Sequence, residues 1–184
     1  MRKRSSYSFV KDKKGQVWVE TVIYTLIAFV VLGGVLAFAK PKIEELQDES
    51  TIEESINMLE QIDQTIKEIS PTTGNRRKIT LSINKGNFQI NSPQDKIVFN
   101  METSYQYSEP GQTIEQGPVK IKNNRFGETY RLNATLEYQD YNITWSGQEE
   151  TELLTSSPTE YQLFVTNKGQ SSSSQNKQIN FETA

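Results

Sequence analysis

From Val17 to Ala39 the chain reads VWVETVIYTLIAFVVLGGVLAFA, about 23 residues in which Glu20 is the only charge. A helix of that length rises roughly 35 Å, enough to cross a bilayer with some tilt. A carboxylate inside a membrane helix costs on the order of a few kcal/mol, which makes Glu20 a candidate for function. The rest of the chain reads as cargo attached to this helix.

Composition narrows what the cargo can do. Of 184 residues none is Cys and none is His. No disulfide framework, thiolate metal site or thiol nucleophile is available, and the commonest general base and metal ligand is missing. Ser and Asp are plentiful, but no nucleophile and base pair can be built from them. No stretch has the spacing of a calcium loop. We expect no enzyme, no cofactor and no metal. The net charge of −3 conceals a division, with +5 on residues 1–15 and −8 on the remainder. Nothing downstream suggests a nucleic-acid partner.

Residues 1–15 (MRKRSSYSFVKDKKG) are basic and lack apolar periodicity. Beside an apolar helix they read as a cytoplasmic flank, which places the C-terminal part outside. A removable secretory signal is the competing reading, with a small-x-small site at Ala37 and Ala39. The apolar run is longer than the usual hydrophobic region of such signals, roughly 7–15 residues. Gly33 and Gly34 are compatible with a membrane helix and allow close helix approach. Pro41 marks where the helix would leave the membrane, with a possible kink.

Residues 42–69 continue the helix in polar form. Ile52, Ile56, Leu59, Ile62, Ile66 and Ile69 make one apolar stripe, with Glu53, Glu54, Glu60, Asp63 and Glu68 assigned to the other face. The neighbouring carboxylates Glu44-Glu45 and Glu53-Glu54 point apart on a helix and read as a solvated face. Ser70-Pro71-Thr72-Thr73-Gly74-Asn75 ends it.

Beyond Lys78 the period becomes alternating. Ile79, Leu81 and Ile83 predict a strand, Asn84-Lys85-Gly86-Asn87 a turn, and Phe88 and Ile90 the strand returning from it. Further strands are predicted around Ile97–Met101, Val119–Ile121, Tyr130–Tyr138, Tyr141–Trp145, Tyr161–Val165 and Ile179–Phe181. Short strands at this spacing argue a β-sandwich or barrel. The fold class expected is therefore α+β: a hydrophobic helix (16–39), an amphipathic extension (40–70) and a β-sandwich-like head (71–184). Residues 168–177 are a low-complexity stretch within the head, a flexible loop or the start of a loose tail.

Tyr130, Tyr138, Tyr141, Trp145 and Tyr161 alternate along strands and read as core or cross-strand pairs rather than as a carbohydrate or peptide site. Asn133-Ala134-Thr135 and Asn142-Ile143-Thr144 are sequons, so Asn133 and Asn142 are N-glycosylation candidates if the head is extracytoplasmic. Strand alternation points both toward solvent.

Cleavage between Gly15 and Gln16 would create an α-amine on Gln16, one helical turn before Glu20. A carboxylate there could neutralise it in the same chain or on a neighbour staggered by about a turn. Lys13-Lys14-Gly15, followed by Gln16, Glu20 and an uninterrupted apolar helix, resembles the class III signal peptide of archaeal type IV pilin-like proteins. The resemblance covers residues 13–39, and beyond them it is architectural. It implies removal of residues 1–15 by a prepilin peptidase on the cytoplasmic side. The helix, inserted in the membrane before assembly, would then leave it for a homo-oligomeric filament at the cell surface. Gln16 and Glu20 would set the axial register. The alternative is a single-pass anchored surface protein that does not polymerise and binds through its head.

Overall fold

The computed structural model describes residues 13–170 and 176–183, with side chains from Trp18 onward. It has one long helix followed by ten strands in two sheets. Helix α1 spans Lys13–Ile69 and contains Pro41. The described residues fall into two units, divided between Ile43 and Glu44. Leader residues 1–12 lie outside the described residues, as do the side chains of Gly15 and Gln16.

The second unit is the α+β head. β1 (Arg76–Leu81), β9 (Tyr161–Gln170), β10 (Lys177–Thr183) and β7 (Tyr141–Trp145) form a four-stranded sheet in that spatial order. β4 (Thr113–Gln116), β5 (Val119–Phe126), β6 (Thr129–Glu137), β3 (Lys96–Thr103), β2 (Asn87–Asn91) and β8 (Thr151–Thr155) form a six-stranded sheet. All pairings are antiparallel except that of β10 with β7. Within this sandwich-like arrangement the low-complexity stretch joins β9 to β10; its residues 171–175 lie outside the described residues.

The helical stripe is buried as its period requires. Ile52, Ile56, Leu59, Ile62, Ile66 and Ile69 are each at most 1% exposed and belong to one core with Phe88, Phe99, Leu132, Val165 and Phe181. Burying each such side chain contributes roughly 1.5–3 kcal/mol. That exceeds any helix-propensity difference, about 0.7 kcal/mol at most for ordinary residues, so packing sets how this half of α1 sits on the sheets.

Three expectations are corrected. The turn Asn84–Asn87 does not close a hairpin. β1 pairs with β9 and β2 pairs with β3 and β8, so the turn carries the chain from one sheet to the other. Both strands bury one face, and alternation alone does not distinguish partners. Gly86 makes this path possible: its φ is +83°, and a Cβ there would lie 2.5 Å from the Asn100 carbonyl oxygen. Second, β4 and β8 are additional strands at the two ends of the six-stranded sheet. As edges they bury little, Ile114 partly and Leu154 fully, which leaves no alternating pattern to read. Third, Asp63 is not on the solvated face. It is buried beside Tyr138 and forms an ion pair with Lys67 at 2.6 Å.

Candidate functional site

The apolar half of α1 is the largest chemically distinctive surface. Its large hydrophobic residues from Trp18 to Phe38 are all exposed, from 46% at Val22 to 84% at Phe38, and none of its membrane-length window is buried within the chain. At about 100° of rotation per residue, Val22, Ile23, Tyr24, Leu26, Ile27, Phe29 and Leu32 cover every side of the helix. An exposed apolar surface of this extent marks a membrane or partner interface. Thr25 satisfies its own hydroxyl by donating to the Thr21 carbonyl at 2.8 Å, as a polar group in an apolar medium must. Glu20 lies within this surface, exposed at its position.

The head half of α1 is anchored at both ends by polar contacts. Near its start the Asp48 carboxylate, 6% exposed, accepts from Lys85 Nζ at 2.5 Å through Oδ1. Its Oδ2 accepts from Thr103 Oγ1 at 3.0 Å, the Ser104 amide at 2.9 Å and Ser104 Oγ at 3.1 Å. Burial alone would raise this carboxyl, but the hydrogen bonds from Lys85, Ser104 and Thr103 outweigh it and hold the group below its ordinary value. The adjacent Tyr105 hydroxyl donates to Glu49 at 2.8 Å.

Asp48 lies in a cleft of about 750 Å³ that is also lined by Glu44, Gln47, Glu54, Glu102 and Thr129. All of the Asp48 contacts are made within the chain. Glu54 accepts weakly from Asn84 at 3.5 Å and Glu102 accepts from Thr129 Oγ1 at 3.0 Å. Chemically this is a fastening of helix to sheet: a carboxylate held below its normal pKa with its lone pairs in use is a poor base and a poor nucleophile. Among the described residues no group of three or more acidic side chains is placed to hold a metal ion.

At the other end of α1, Asn167 of β9 is 1% exposed and donates Nδ2 to the carbonyls of Ile69, Ser70 and Thr72. These are helix-terminal acceptors with no partner inside the helix. Neither Asp48 nor Asn167 stands out in the sequence, because the partners that fasten the helix lie 37 to 98 positions away.

The other candidates are dispersed. Tyr138 and Tyr141 stack edge to face at 5.9 Å, the Tyr141 hydroxyl donates to Ser70 Oγ, and Trp145 is 7% exposed. Tyr130 donates to Gln106 and Tyr161 to the Thr155 carbonyl, so the aromatics serve separate packing roles. Burial pushes the Tyr138 phenol well up, with the Asp63 carboxylate adding to it. Asn133 and Asn142 are half-buried rather than fully solvent-facing. Asn133 sits in an interior strand between Asn100 and Lys122, which crowd it; Asn142 sits on edge strand β7.

Compared with protein-family models, with curated proteins and with solved structures, the chain matches none.

Proposed function

We propose that this chain is a structural subunit of an archaeal type IV pilus-like cell-surface filament, processed after Gly15 and assembled through its apolar helix. The observation that carries this reading is the division of labour along α1. Residues 52–69 spend their apolar stripe on the head core, at most 1% exposed, whereas the large apolar residues of 18–38 are 46% exposed or more. A side chain that anchored the head only to itself would leave the second set without purpose. A polymer whose centre is a bundle of such helices buries them on all sides, and lipid does the same before assembly.

Glu20 supplies the register in this reading. After cleavage the Gln16 α-amine would be a cation among apolar helices, and a carboxylate one turn away in sequence, in the same chain or a neighbour, would neutralise it. Wrongly staggered neighbours would leave both charges in an apolar medium, so the pair selects one axial offset. The Gly15 and Gln16 resemblance to a class III signal supports the same account.

The test is Glu20→Ala in the producing cell. Membrane insertion should persist or improve, and filaments seen by electron microscopy should be lost or sharply reduced. Normal filaments from this variant would remove Glu20 from the mechanism.

A further inference from the structure

Which end of the head lies beside the start of its own stretch of α1 can be read within the head itself. β3 ends at Thr103, beside Asp48 near the start of the head half of α1. β6 runs antiparallel to β3 with Tyr130 opposite Thr103, and the residue after its end, Tyr138, reaches Asp63. The β5–β6 turn, Phe126 to Thr129, therefore lies at the Asp48 end, and Thr129 shares a cleft with Glu44 and Gln47. Glu44 follows Ala39 by five residues, a length of chain that reaches no further than about 18 Å even fully extended. In sequence, this is the end at which the chain enters the head from the apolar segment.

The turn has the chemistry of a bilayer interface. Among the described residues after Leu46, Phe126 and Leu153 are the only large hydrophobics left exposed, at 58% and 52%. Phe126 sits at the closing pair of the hairpin, where a side chain gains nothing from the core. The Arg131 guanidinium lies 4.6 Å over its ring, and Arg125 precedes it in sequence with its Nε donating to the Gly127 carbonyl at 3.2 Å. An exposed aromatic flanked by two guanidiniums fits the headgroup layer: the ring enters the acyl boundary and the guanidiniums meet lipid phosphates. Glu128 in the turn, and Glu44 and Glu102 in the cleft that Thr129 lines, offset the arginines. Phosphate itself, present in zwitterionic lipid, is the ligand, and surplus anionic charge is not required.

We infer that the β5–β6 turn is a second membrane contact, which seats the head on the lipid headgroup layer through Phe126, Arg125 and Arg131 while the chain is membrane-inserted. This rests on the apolar helix entering a bilayer, and the experiment separates the two. The native chain has no Cys, so single-cysteine variants of the full chain can carry an environment-sensitive fluorophore at chosen positions. In phosphatidylcholine vesicles, a label at Phe126→Cys should be quenched by headgroup spin-labelled lipid several-fold more than one at Glu68→Cys. Glu68 is exposed and lies 24 residues beyond Glu44 on the helix, about 36 Å away. Phe29→Cys, quenched by acyl-chain spin label, reports insertion of the helix. Replacing Arg125 and Arg131 with Glu should bring quenching at position 126 down toward the Glu68 level.

Insertion at Phe29 with no excess quenching at Phe126 would overturn the second contact and leave the membrane helix standing. Absence of quenching at Phe29 would overturn both. A signal at Phe126 that follows protein density in the vesicles rather than spin-labelled lipid would assign the turn to a second copy and overturn the lipid assignment.

Discussion

Asn167 and Ile69 are 98 residues apart in sequence and joined by a 3.1 Å hydrogen bond from the buried Asn167 amide to the last carbonyl of helix α1. The same amide nitrogen reaches the Ser70 and Thr72 carbonyls, and its oxygen accepts from the Gly169 amide at 2.8 Å. One side chain thus ends the helix and fixes the path of its own strand, β9. Lys177 adds a donor to the Ser70 carbonyl at 3.0 Å.

Asn167→Ala should destabilise the head by about 1–3 kcal/mol, since it removes a buried donor shared by three carbonyls and leaves the Gly169 amide without its Oδ1 acceptor. Asn167→Asp should cost more, because it sets a carboxylate against carbonyl oxygens at the negative end of the helix dipole. Gly169→Ala should also destabilise. Its φ is +85°, and a Cβ would lie 2.9 Å from Thr73 Cγ2. Thermal unfolding of the full chain in detergent measures all three.

Asp48 and Asp95 predict opposite responses to acid. The Asp48 carboxyl is held below its ordinary value of 3.8, so its stabilisation is complete above that pH and is lost as pH falls through the lower folded value. Asp48→Asn should flatten the acid limb of the stability curve and lower stability at neutral pH. Asp95 is raised, first by burial and then by Glu149, against a hydrogen bond from the Ile143 amide at 2.7 Å. Its charged form is disfavoured in the fold, so its contribution improves as pH falls through the raised value. Asp95→Asn keeps an acceptor for Ile143 and suits the left-handed φ of 50°, so it should leave neutral-pH stability unchanged or higher. Unfolding midpoints from pH 7 down to about pH 3 check both signs.

The two halves of α1 should answer differently to the same substitution. Leu59→Ala, in the core, should cost about 2–5 kcal/mol of head stability. Leu36→Ala, 68% exposed, should leave the unfolding midpoint of the head unchanged and weaken filament assembly. A loss of head stability from Leu36→Ala would show that the apolar segment supports the fold of the head.

Gly15 carries the processing prediction. A bulky residue there should block removal of the leader, leaving the full-length mass in the membrane fraction and no filaments. An unchanged mature mass would refute the site.

Periodicity made much of the fold legible. The six-residue stripe from Ile52 to Ile69, the end of α1 before Ser70, and the strands with repeated buried positions all follow from sequence spacing. What it concealed were relations between distant residues. The partner of β1 is β9 and not β2, because a hydrophobic face specifies burial and not the neighbour. β8 exposes Leu153 and buries only Leu154 among its apolar pair, which gives no alternation to detect. Asp63 looked solvated because a helical wheel has no knowledge of Tyr138. Of the candidate site, Glu20 and the apolar segment were visible as an improbable charge in an apolar run. The Asp48 and Asn167 fastenings were not, since a buried Asp or Asn is distinguished only by the donors and acceptors the fold brings to it.

The most direct measurement is the N-terminal residue and intact mass of the native protein, taken from membranes and from any filament fraction. The account predicts a chain that begins at Gln16, retains the apolar helix and is recovered in filaments. A chain beginning at Met1 in the membrane would contradict it in favour of a fixed anchor with a binding head. One beginning near Lys40, soluble without detergent, would contradict it in favour of a secreted domain.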